Sequence, residues 1–397
     1  MSAAAPPLVA NWAPFEDGVA AVSAGVAVQT GATLDAIDRR LADWLLEGPA
    51  QLRSGPQRGA VAGIVAVDGR VEYAYPEITG YYLQWLAWHA TRHDRSEALA
   101  ARAEAAQHWL GQWLADAALP RTRVYLGLDI PDWRNAAVFT FDTTMVLRGL
   151  ASAARAGLLR PAGSVVEGVD RLLGILVGHD GLFETCSGRP GAGSLPDRWS
   201  TRRGAFLAKA AAGVIGAAAV VPGVSATVVE AAERTLAASL RWLDERPHRE
   251  VHPLLYAAEG FLSLPAHRLL PAALPVIARE LAEVLRQSRA LGRVPEFLDV
   301  EPTAAGAARL DIVAQTLRVA ALLAAHGARE SIDAAELLHL RRLLVDSITP
   351  QGTLPFVAGT RPVRHNVWAT MFADQALAFV GADGAMPKAA GDAALVV

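Results

Sequence analysis

The sequence contains very little cysteine and comparatively little charge, and both shortages exclude whole classes of protein. Cys186 is the single cysteine, so an internal disulfide and any zinc or iron–sulfur site built from several cysteines are excluded. Charged residues make up 19% of the 397 residues and hydrophobic residues 52%, whereas soluble domains carry about 25% charged residues. This balance excludes a disordered chain and predicts a large buried core.

An excess of basic charge is also missing. The chain has 37 basic and 40 acidic residues and a net charge of −3, so we expect neither a nucleic-acid partner nor an acidic membrane surface. The longest apolar run, Ala210–Val221, is too short for a transmembrane helix, which needs about 20 residues. Residues 1–14 lack the basic start of a signal peptide. Together with the lone cysteine, this predicts a cytoplasmic protein.

Several catalytic and nucleotide-binding motifs are absent as well. The sequence has no P-loop, no Gly-x-Gly-x-x-Gly after a strand, no Gly-x-Ser-x-Gly, no His-Glu-x-x-His and no calcium loop. We therefore expect no cofactor and no obligatory metal ion.

What the sequence does contain is helical periodicity. Apolar residues recur at spacings of three and four residues, and short connections with Gly, Pro or Asp separate the runs. We predict helices at 33–46, 77–92, 95–117, 138–156, 164–178, 200–220, 225–245, 252–264, 271–289, 304–325, 334–347 and 366–380. No long linker interrupts the pattern, so we predict one domain over 33–380, with an N-terminal extension (1–32) and a flexible tail (381–397).

Two classes of helix alternate along the chain. One class is amphipathic, as in Glu97–Ala115, Val229–Glu245 and Ala335–Asp346, and each such helix should expose one face to water. The other class is apolar along its length, which is typical of a helix buried on all sides. Helices of the second class begin with polar or aromatic residues, at Glu77–Tyr82, Phe141–Thr144, Ser200–Arg203, His252–Tyr256, Arg309–Asp311 and His365–Trp368. Six exposed helices alternating with six buried ones predict two concentric rings.

A weak internal repeat supports the rings. A glycine before an extended segment recurs at Gly69, Gly181, Gly292 and Gly352, each time between an amphipathic helix and the next apolar one. The first of these glycines lies near the centre of Val61–Tyr75, a stretch typical of a β-hairpin. The repeat therefore predicts the same kind of loop on the same face of the ring.

The number of hairpins and the polar starts of the apolar helices resemble the (α/α)6-toroid superfamily. Its members include six-hairpin glycosidases, N-acylglucosamine 2-epimerase-like enzymes and toroidal polysaccharide lyases. The resemblance covers residues 33–380 and implies an all-α fold, a double ring of about twelve helices with short β-like segments. It further implies a glycoside hydrolase, sugar epimerase or lyase whose small-molecule or oligosaccharide substrate lies in the toroid cavity.

Parallel inner helices would bring their first turns to one end of the ring. The candidate catalytic residues there are Glu77, Asp142, Asp311, His252 and His365. Glycoside hydrolysis needs two carboxyl groups, and the sequence leaves open which two of the three acids pair. Epimerisation or elimination instead needs a base such as His252 or His365, and an arginine that neutralises developing charge. Candidate substrate-binding residues are Tyr81, Tyr82, Trp199, Arg202, Arg203, Tyr256, Arg309, Arg364, Asn366 and Trp368.

The charge of this end should be positive. Helix N-termini carry partial positive charge, and arginines lie at or before several of them, namely Arg202, Arg203, Arg309, Arg361 and Arg364. We therefore expect an acidic saccharide as ligand. Replacing Arg203 by alanine should then weaken its binding by about 1–3 kcal/mol, as for a lost charge-assisted hydrogen bond.

Each candidate also has a purely structural interpretation. Glu77 and Asp142 favour the dipole of the helix that they begin. Arg309 and Asp311 are placed to form an internal ion pair, and the residues around His365 to cap a helix. Four tryptophans at helical spacing are typical of core: Trp85, Trp88, Trp109 and Trp113.

Two other functions compete with carbohydrate chemistry. The segment Phe139–Met145 resembles the acidic Asp-x-Asp-Asp-Thr motif of class II terpene cyclases, which implies that Asp142 protonates an alkene. Thr140 stands where that motif has its first aspartate, so the partner of the acid is missing. The third hypothesis is a non-catalytic toroid that binds a saccharide or a partner protein.

Overall fold

The computed structural model describes residues 34–93, 96–115, 119–127, 130–189, 193–245, 250–298, 308–381 and 386. The predicted N-terminal extension lies outside this range, as does the predicted tail apart from residues 381 and 386. No helix in the described part of the chain is long and apolar enough to span a membrane.

Twelve α-helices form the described structure, and their bounds agree with the sequence prediction to within a few residues at most ends. They are α1 (Leu34–Glu47), α2 (Pro76–Arg92), α3 (Glu97–Ala115), α4 (Thr140–Arg155), α5 (Gly163–Ile175), α6 (Leu207–Ala218), α7 (Ala226–Glu245), α8 (Val251–Leu262), α9 (Leu270–Leu291), α10 (Leu310–Ala325), α11 (Ala334–Ser347) and α12 (Val367–Phe379). The predicted all-α class is confirmed.

The even-numbered helices form a closed inner ring. Each packs against the next, and α12 returns to pack against α2. The inner helices are buried almost all round, as in α10, where every residue from Leu310 to Leu323 is buried. The odd-numbered helices lie outside and bury one face, as expected from their amphipathic sequences. The predicted pair of concentric rings is therefore confirmed.

Glycine lets two pairs of neighbouring inner helices approach closely. A Cβ atom on Gly80 of α2 would collide with the backbone of Met145 in α4, and one on Gly149 would collide with the backbone of Gly80. Gly260 of α8 meets the backbone of Ala208 and Lys209 in the same way. These contacts explain glycine inside helices, where it is otherwise destabilising.

Six short strands occur in the described part of the chain. They are β1 (Ala62–Ala66), β2 (Val71–Ala74), β3 (Val124–Tyr125), β4 (Ala137–Phe139), β5 (Cys186–Gly188) and β6 (Arg364–Asn366). Four of them form an antiparallel sheet in the order β3-β2-β1-β6, and β4 pairs with β5. The predicted hairpin is the β1–β2 pair. Since β2, β4 and β6 end directly before α2, α4 and α12, these strands fix where three inner helices begin.

The four repeated glycines all adopt the left-handed conformation. Their φ angles are 83°, 73°, 68° and 79° at Gly69, Gly181, Gly292 and Gly352, values at which other residues are strained. Each glycine lies between an outer helix and the following inner one. The predicted common loop type is confirmed.

Two helix starts differ from the prediction. Helix α6 begins at Leu207 and not at 200, and a short 3₁₀ turn occupies Trp199–Thr201. Arg202 is extended (φ −116°, ψ 145°), and Gly204 follows, so the helical pattern breaks between the turn and α6. Helix α10 begins at Leu310 and not at 304.

Candidate active site at the N-terminal end of the inner ring

Two carboxyl groups from neighbouring inner helices meet at the start of the ring. The hydroxyl of Tyr75 donates a hydrogen bond to Oδ2 of Asp142 at 3.1 Å, and Glu77 interacts electrostatically with both. Burial raises the pKa of both carboxyl groups, and the charge of Glu77 raises the pKa of Asp142 further, well above its usual range. Tyr75, Lys209 and Arg123 offset only part of the rise at Glu77.

Their interaction decides what the pair can do. Two carboxyl groups that interact in a buried site favour the state in which they hold one proton between them. Glu77 and Asp142 are therefore one proton-holding unit, which can donate a proton to a single ligand oxygen.

The β-sheet holds Tyr75 in place. The guanidinium of Arg123 lies over the Tyr75 ring at 5.4 Å and over the Tyr73 ring at 4.3 Å. Asp132 binds Arg123 Nη1 at 3.2 Å and accepts a hydrogen bond from the Tyr125 hydroxyl at 3.0 Å. Loop and sheet residues thus position the tyrosine that contacts Asp142.

An aromatic wall stands beside the carboxyl pair. The ring of Tyr256 lies 4.3 Å from His252 and 4.7 Å from Phe141. Trp199 packs edge-on against His252 at 5.7 Å and is partly exposed. Aromatic faces of this kind are suited to the apolar faces of sugar rings.

His252 has a defined tautomer. Its Nδ1 lies 2.9 Å from Oε1 of Gln315, whose Nε2 donates to Glu259 at 3.1 Å. Because an amide oxygen only accepts, Nδ1 carries the proton and Nε2 keeps its lone pair. Burial, reinforced by the charge of Arg309, lowers the pKa of His252 to about 4, so the ring is neutral at neutral pH.

The start of α10 carries an ion pair. Arg309 donates to Asp311 from Nε at 3.2 Å and from Nη2 at 2.8 Å, and its guanidinium lies over the Phe356 ring at 4.7 Å. Burial alone would raise the pKa of Asp311, but Arg309 and His252 outweigh it and the pKa is lowered. The structural interpretation of this pair is therefore correct. Trp368 packs against the other face of this group, 5.7 Å from Phe356.

A hydrogen-bonded pair of tyrosines forms the floor of the site. The hydroxyl groups of Tyr81 and Tyr256 are 3.3 Å apart, and they join α2 to α8. Beneath them, Lys209 Nζ donates to Glu259 at 2.8 Å and lies 5.0 Å and 4.7 Å from the centres of the two tyrosine rings. Lys209 and Glu259 are fully buried.

Several predicted residues lie away from this group. The Tyr82 hydroxyl donates to the Leu45 carbonyl of α1, between the two rings of helices. The Nδ1 of His365 lies 2.6 Å from the Thr353 hydroxyl, and its ring faces Trp44 of α1 at 6.0 Å. Asn366 caps α12 by accepting from the Ala369 amide at 2.8 Å.

The predicted arginines are largely neutralised by carboxylates. Arg202 pairs with Asp197, and Arg364 pairs with Glu72. Arg203 binds Asp180 at 2.6 Å and Glu184 at 2.6 Å. Since Arg202 and Arg203 also precede α6 by several residues, the predicted concentration of unpaired positive charge at helix starts does not occur there. Arg361 is exposed on the loop before β6.

The structure adds residues that sequence reasoning missed. They are Tyr75, Arg123, Arg148, Lys209, Glu259 and Arg318. A signal existed for most of them, because a lone charged residue inside an otherwise apolar helix must find a buried partner. No group of three His, Cys, Asp or Glu side chains suited to a metal ion occurs among the residues with described positions.

Solved structures share this fold although the sequence is distant from them. No family model matches the chain, and no curated protein matches its sequence. A D-mannose isomerase is 12% identical with a TM-score of 0.65, covering 88% of this chain and 98% of its own. An unsaturated glucuronyl hydrolase specific for heparin is 12% identical with a TM-score of 0.59, covering 87% and 96%. A cellobiose 2-epimerase from Spirochaeta thermophila is 13% identical with a TM-score of 0.58, covering 88% and 97%. The likeness establishes the (α/α)6-toroid fold.

Proposed function

We propose that the protein is a carbohydrate-active enzyme that uses the Glu77–Asp142 pair as its proton donor. The observation that carries the proposal is the buried interaction of these two carboxyl groups with each other, together with the Tyr75–Asp142 hydrogen bond. A raised pKa favours the protonated form of a carboxyl group, which a general acid requires. The names of the three structural neighbours all refer to saccharides, and this supports a sugar as the ligand.

Hydrolysis is the reaction that the carboxyl pair serves most directly. The pair gives its proton to the oxygen that leaves as the glycosidic C–O bond breaks. Water then forms a bond to the sugar carbon, and the proton that this water loses returns to the carboxyl pair. Asp311 is ionised beside Arg309, so it stabilises positive charge on the sugar and does not compete for the proton.

Isomerisation or epimerisation is the second candidate reaction, and the neutral state of His252 favours it. The Nε2 lone pair of this neutral histidine is available as a base. It would remove the proton next to a sugar carbonyl while the Glu77–Asp142 pair protonates the carbonyl oxygen. His252 and Glu77 both interact with Tyr256, which supports a shared substrate.

We also propose a preference for acidic sugars, with Arg309 as the arginine that binds the sugar carboxylate. Among the arginines predicted to bind an anion, Arg309 is the one that lies beside His252 and Phe356. A sugar carboxylate would have to share Arg309 with Asp311. The preference should therefore depend on Arg309 and be insensitive to Arg203.

The test is a turnover screen with matched variants. The wild-type chain, Glu77→Gln, Asp142→Asn and His252→Gln are incubated with neutral and acidic oligosaccharides and with free reducing sugars, and products are followed by proton NMR. Asp346→Asn, an exposed change on α11, is the control. Loss of turnover in Glu77→Gln and Asp142→Asn but not in the control supports the proposal. Loss in His252→Gln together with products from reducing sugars selects isomerisation.

Two results would contradict the proposal. Saccharide binding that survives both carboxyl changes without turnover in any variant would indicate a non-catalytic binder. Cyclic products from isoprenoid diphosphates, with no reaction on sugars, would indicate a cyclase.

Thr140 stands where the cyclase motif has its first aspartate. Its hydroxyl group donates a hydrogen bond to the Glu184 carbonyl and not to Asp142.

A further inference from the structure

The interior of the inner ring contains a sealed polar layer beneath the Tyr81–Tyr256 pair. Each inner helix contributes one residue, and the members are Tyr81, Arg148, Lys209, Glu259, Arg318 and Phe372. All of these side chains are buried, and Lys209, Glu259 and Arg318 are completely so. The layer lies apart from the carboxyl pair above it.

Positive charge exceeds negative charge in this layer. Glu259 is bound by Lys209 at 2.8 Å, by Arg318 and by Gln315 at 3.1 Å. It is the carboxylate that interacts with all three cations of the layer, Arg148 included. Glu77 and Asp142 lie at the other side of the tyrosine pair and favour a shared proton. Within the layer one carboxylate thus faces three basic side chains, and even with the single negative charge that the proton-sharing pair presents to Lys209, the cations outnumber the anions.

Arg148 is the cation of the layer whose terminal nitrogens lack hydrogen bonds among the described atoms. It is 4% exposed, and neither Nη1 nor Nη2 has a hydrogen-bond partner among the described atoms. Lys209 and Arg318 gain from aromatic faces, since Arg318 lies 3.8 Å from the Phe372 ring centre and Lys209 5.6 Å. A buried guanidinium with two unsatisfied nitrogens is strongly unfavourable unless an anion or polar group meets it.

Loss of a proton from Arg148 does not relieve the unfavourable burial of this charge. Burial lowers the pKa of Arg148 only to about 10, so the guanidinium stays charged at neutral pH. Burial lowers the pKa of Lys209 to about 7, so the lysine loses part of its charge in the absence of a further anion. An anion in the layer would keep Lys209 protonated as well.

We propose that the layer binds a small monovalent anion, such as chloride, between Arg148 and Lys209. Helices α4 and α6 pack against each other, and a Cβ atom on Gly213 of α6 would lie 3.5 Å from the Cβ of Arg148. Arg148 and Lys209 interact with each other and with Glu259. The closed helix ring and the tyrosine pair surround the layer, so the anion must be small and easily dehydrated. Its role is to complete the charge balance of the barrel interior, independently of catalysis.

Bromide is the probe that locates the site. Crystals of the full chain grown in sodium bromide should give an anomalous peak within contact distance of Arg148 Nη1 or Nη2. The same peak should vanish in Arg148→Met crystals. A map with no bromide at Arg148, or with density of ordered water alone, would overturn the proposal.

Thermal unfolding tests the same site in solution. The wild type should unfold a few degrees higher in sodium chloride than in sodium gluconate of equal ionic strength, because a bound anion stabilises the folded state and gluconate is too large to enter. Arg148→Met should lose this difference. Arg155→Met, on the exposed end of the same helix, should keep it. Equal unfolding temperatures of the wild type in the two salts would overturn the proposal, and if Arg148→Met does not fold, the wild-type bromide map decides.

Discussion

Tyr81 and Tyr256 join opposite sides of the inner ring through a hydrogen bond of 3.3 Å between their hydroxyl groups. Both rings also lie over the ammonium group of Lys209. The pair therefore separates two environments, the carboxyl pair and aromatic wall above it and the sealed charged layer below. Residues on the two sides should respond differently to mutation.

Removing either carboxyl of the upper pair should abolish activity and stabilise the fold. Glu77→Gln and Asp142→Asn should lower kcat by about 10²–10⁴-fold, the usual contribution of a general acid. The pKa of each group is raised in the folded state, so ionisation destabilises the fold as pH rises above the unfolded pKa. Both variants should therefore unfold at higher temperature than the wild type at pH 8, with a smaller gain at pH 4.

The measurement is kinetics together with thermal unfolding across that pH range, with Asp346→Asn as control. A variant that loses activity but is destabilised at pH 8 would show that the ionised pair is favourable in the folded state. The assignment of a shared proton would then be wrong.

His252 should make the fold sensitive to acid. Its pKa falls from 6.5 to about 4 on burial, so the unfolded chain binds the proton more readily. The associated stability is present above pH 6.5 and is lost as the pH falls towards 4, by up to about 3 kcal/mol. His252→Gln should flatten this part of the profile of unfolding free energy against pH. Because burial also lowers the pKa of His89 to about 4, His89→Gln is the matched comparison, and an unchanged slope in His252→Gln would contradict the prediction.

Glu259→Gln should destabilise the protein more than Lys209→Met. The first change leaves three buried cations without a carboxylate, whereas the second leaves Glu259 paired with Arg318. Loss of one partner of a buried ion pair costs about 3–5 kcal/mol, and the lysine change should fall at or below that range. Denaturant midpoints measure both, and the reverse order would show that Lys209 is the dominant partner of Glu259.

Two glycine-to-alanine substitutions should change the free energy of unfolding in opposite directions. Gly80→Ala forces a Cβ into the backbone of α4 and should destabilise by about 1–3 kcal/mol, as overpacking does. Gly174→Ala lies on the exposed side of α5 with open space around it and should stabilise by about 0.5–1 kcal/mol through helix propensity. Thermal unfolding of the two variants is sufficient, and a neutral Gly80→Ala would mean that α2 and α4 can move apart.

Arg203→Ala should leave saccharide affinity unchanged, because this arginine is already bound to Asp180 and Glu184. Arg309→Ala should reduce the affinity for an acidic sugar relative to a matched neutral one. Calorimetric titration of both variants separates the two arginines. An equal loss of affinity for the acidic sugar in both variants would support the positively charged end of the ring that the sequence predicted.

Periodicity predicted the fold well because burial acts on every helix in the same way. The apolar and amphipathic classes, the hairpin and the recurring glycine loops all followed from local sequence. The start of α6 was missed because the polar run at 200–203 continues the helical pattern, and only the extended Arg202 and the glycine that follows break it.

The site was less predictable because it depends on which way side chains turn. Glu77, Asp142, His252 and Tyr256 lie near the starts of inner helices, as predicted, but their partners come from elements far apart in sequence. His365 illustrates the difficulty, since it lies in the strand directly before an inner helix yet its ring faces α1. The ion pairs of Arg202 and Arg203 are likewise set by loop conformation, which spacing does not encode.

The closure of the inner ring also bears on how the chain reaches its folded state. The seam between α2 and α12 is joined by the Trp85–Asp374 hydrogen bond of 2.7 Å, between residues 289 positions apart. Such distant contacts form late, because the entropy of closing the intervening loop must be overcome first. Until the seam closes, water can still reach Arg148, Lys209 and Arg318 from the open side. The step that completes the ring is therefore also the step that dehydrates its cations, and salts that interact with these cations should change the rate of that final assembly.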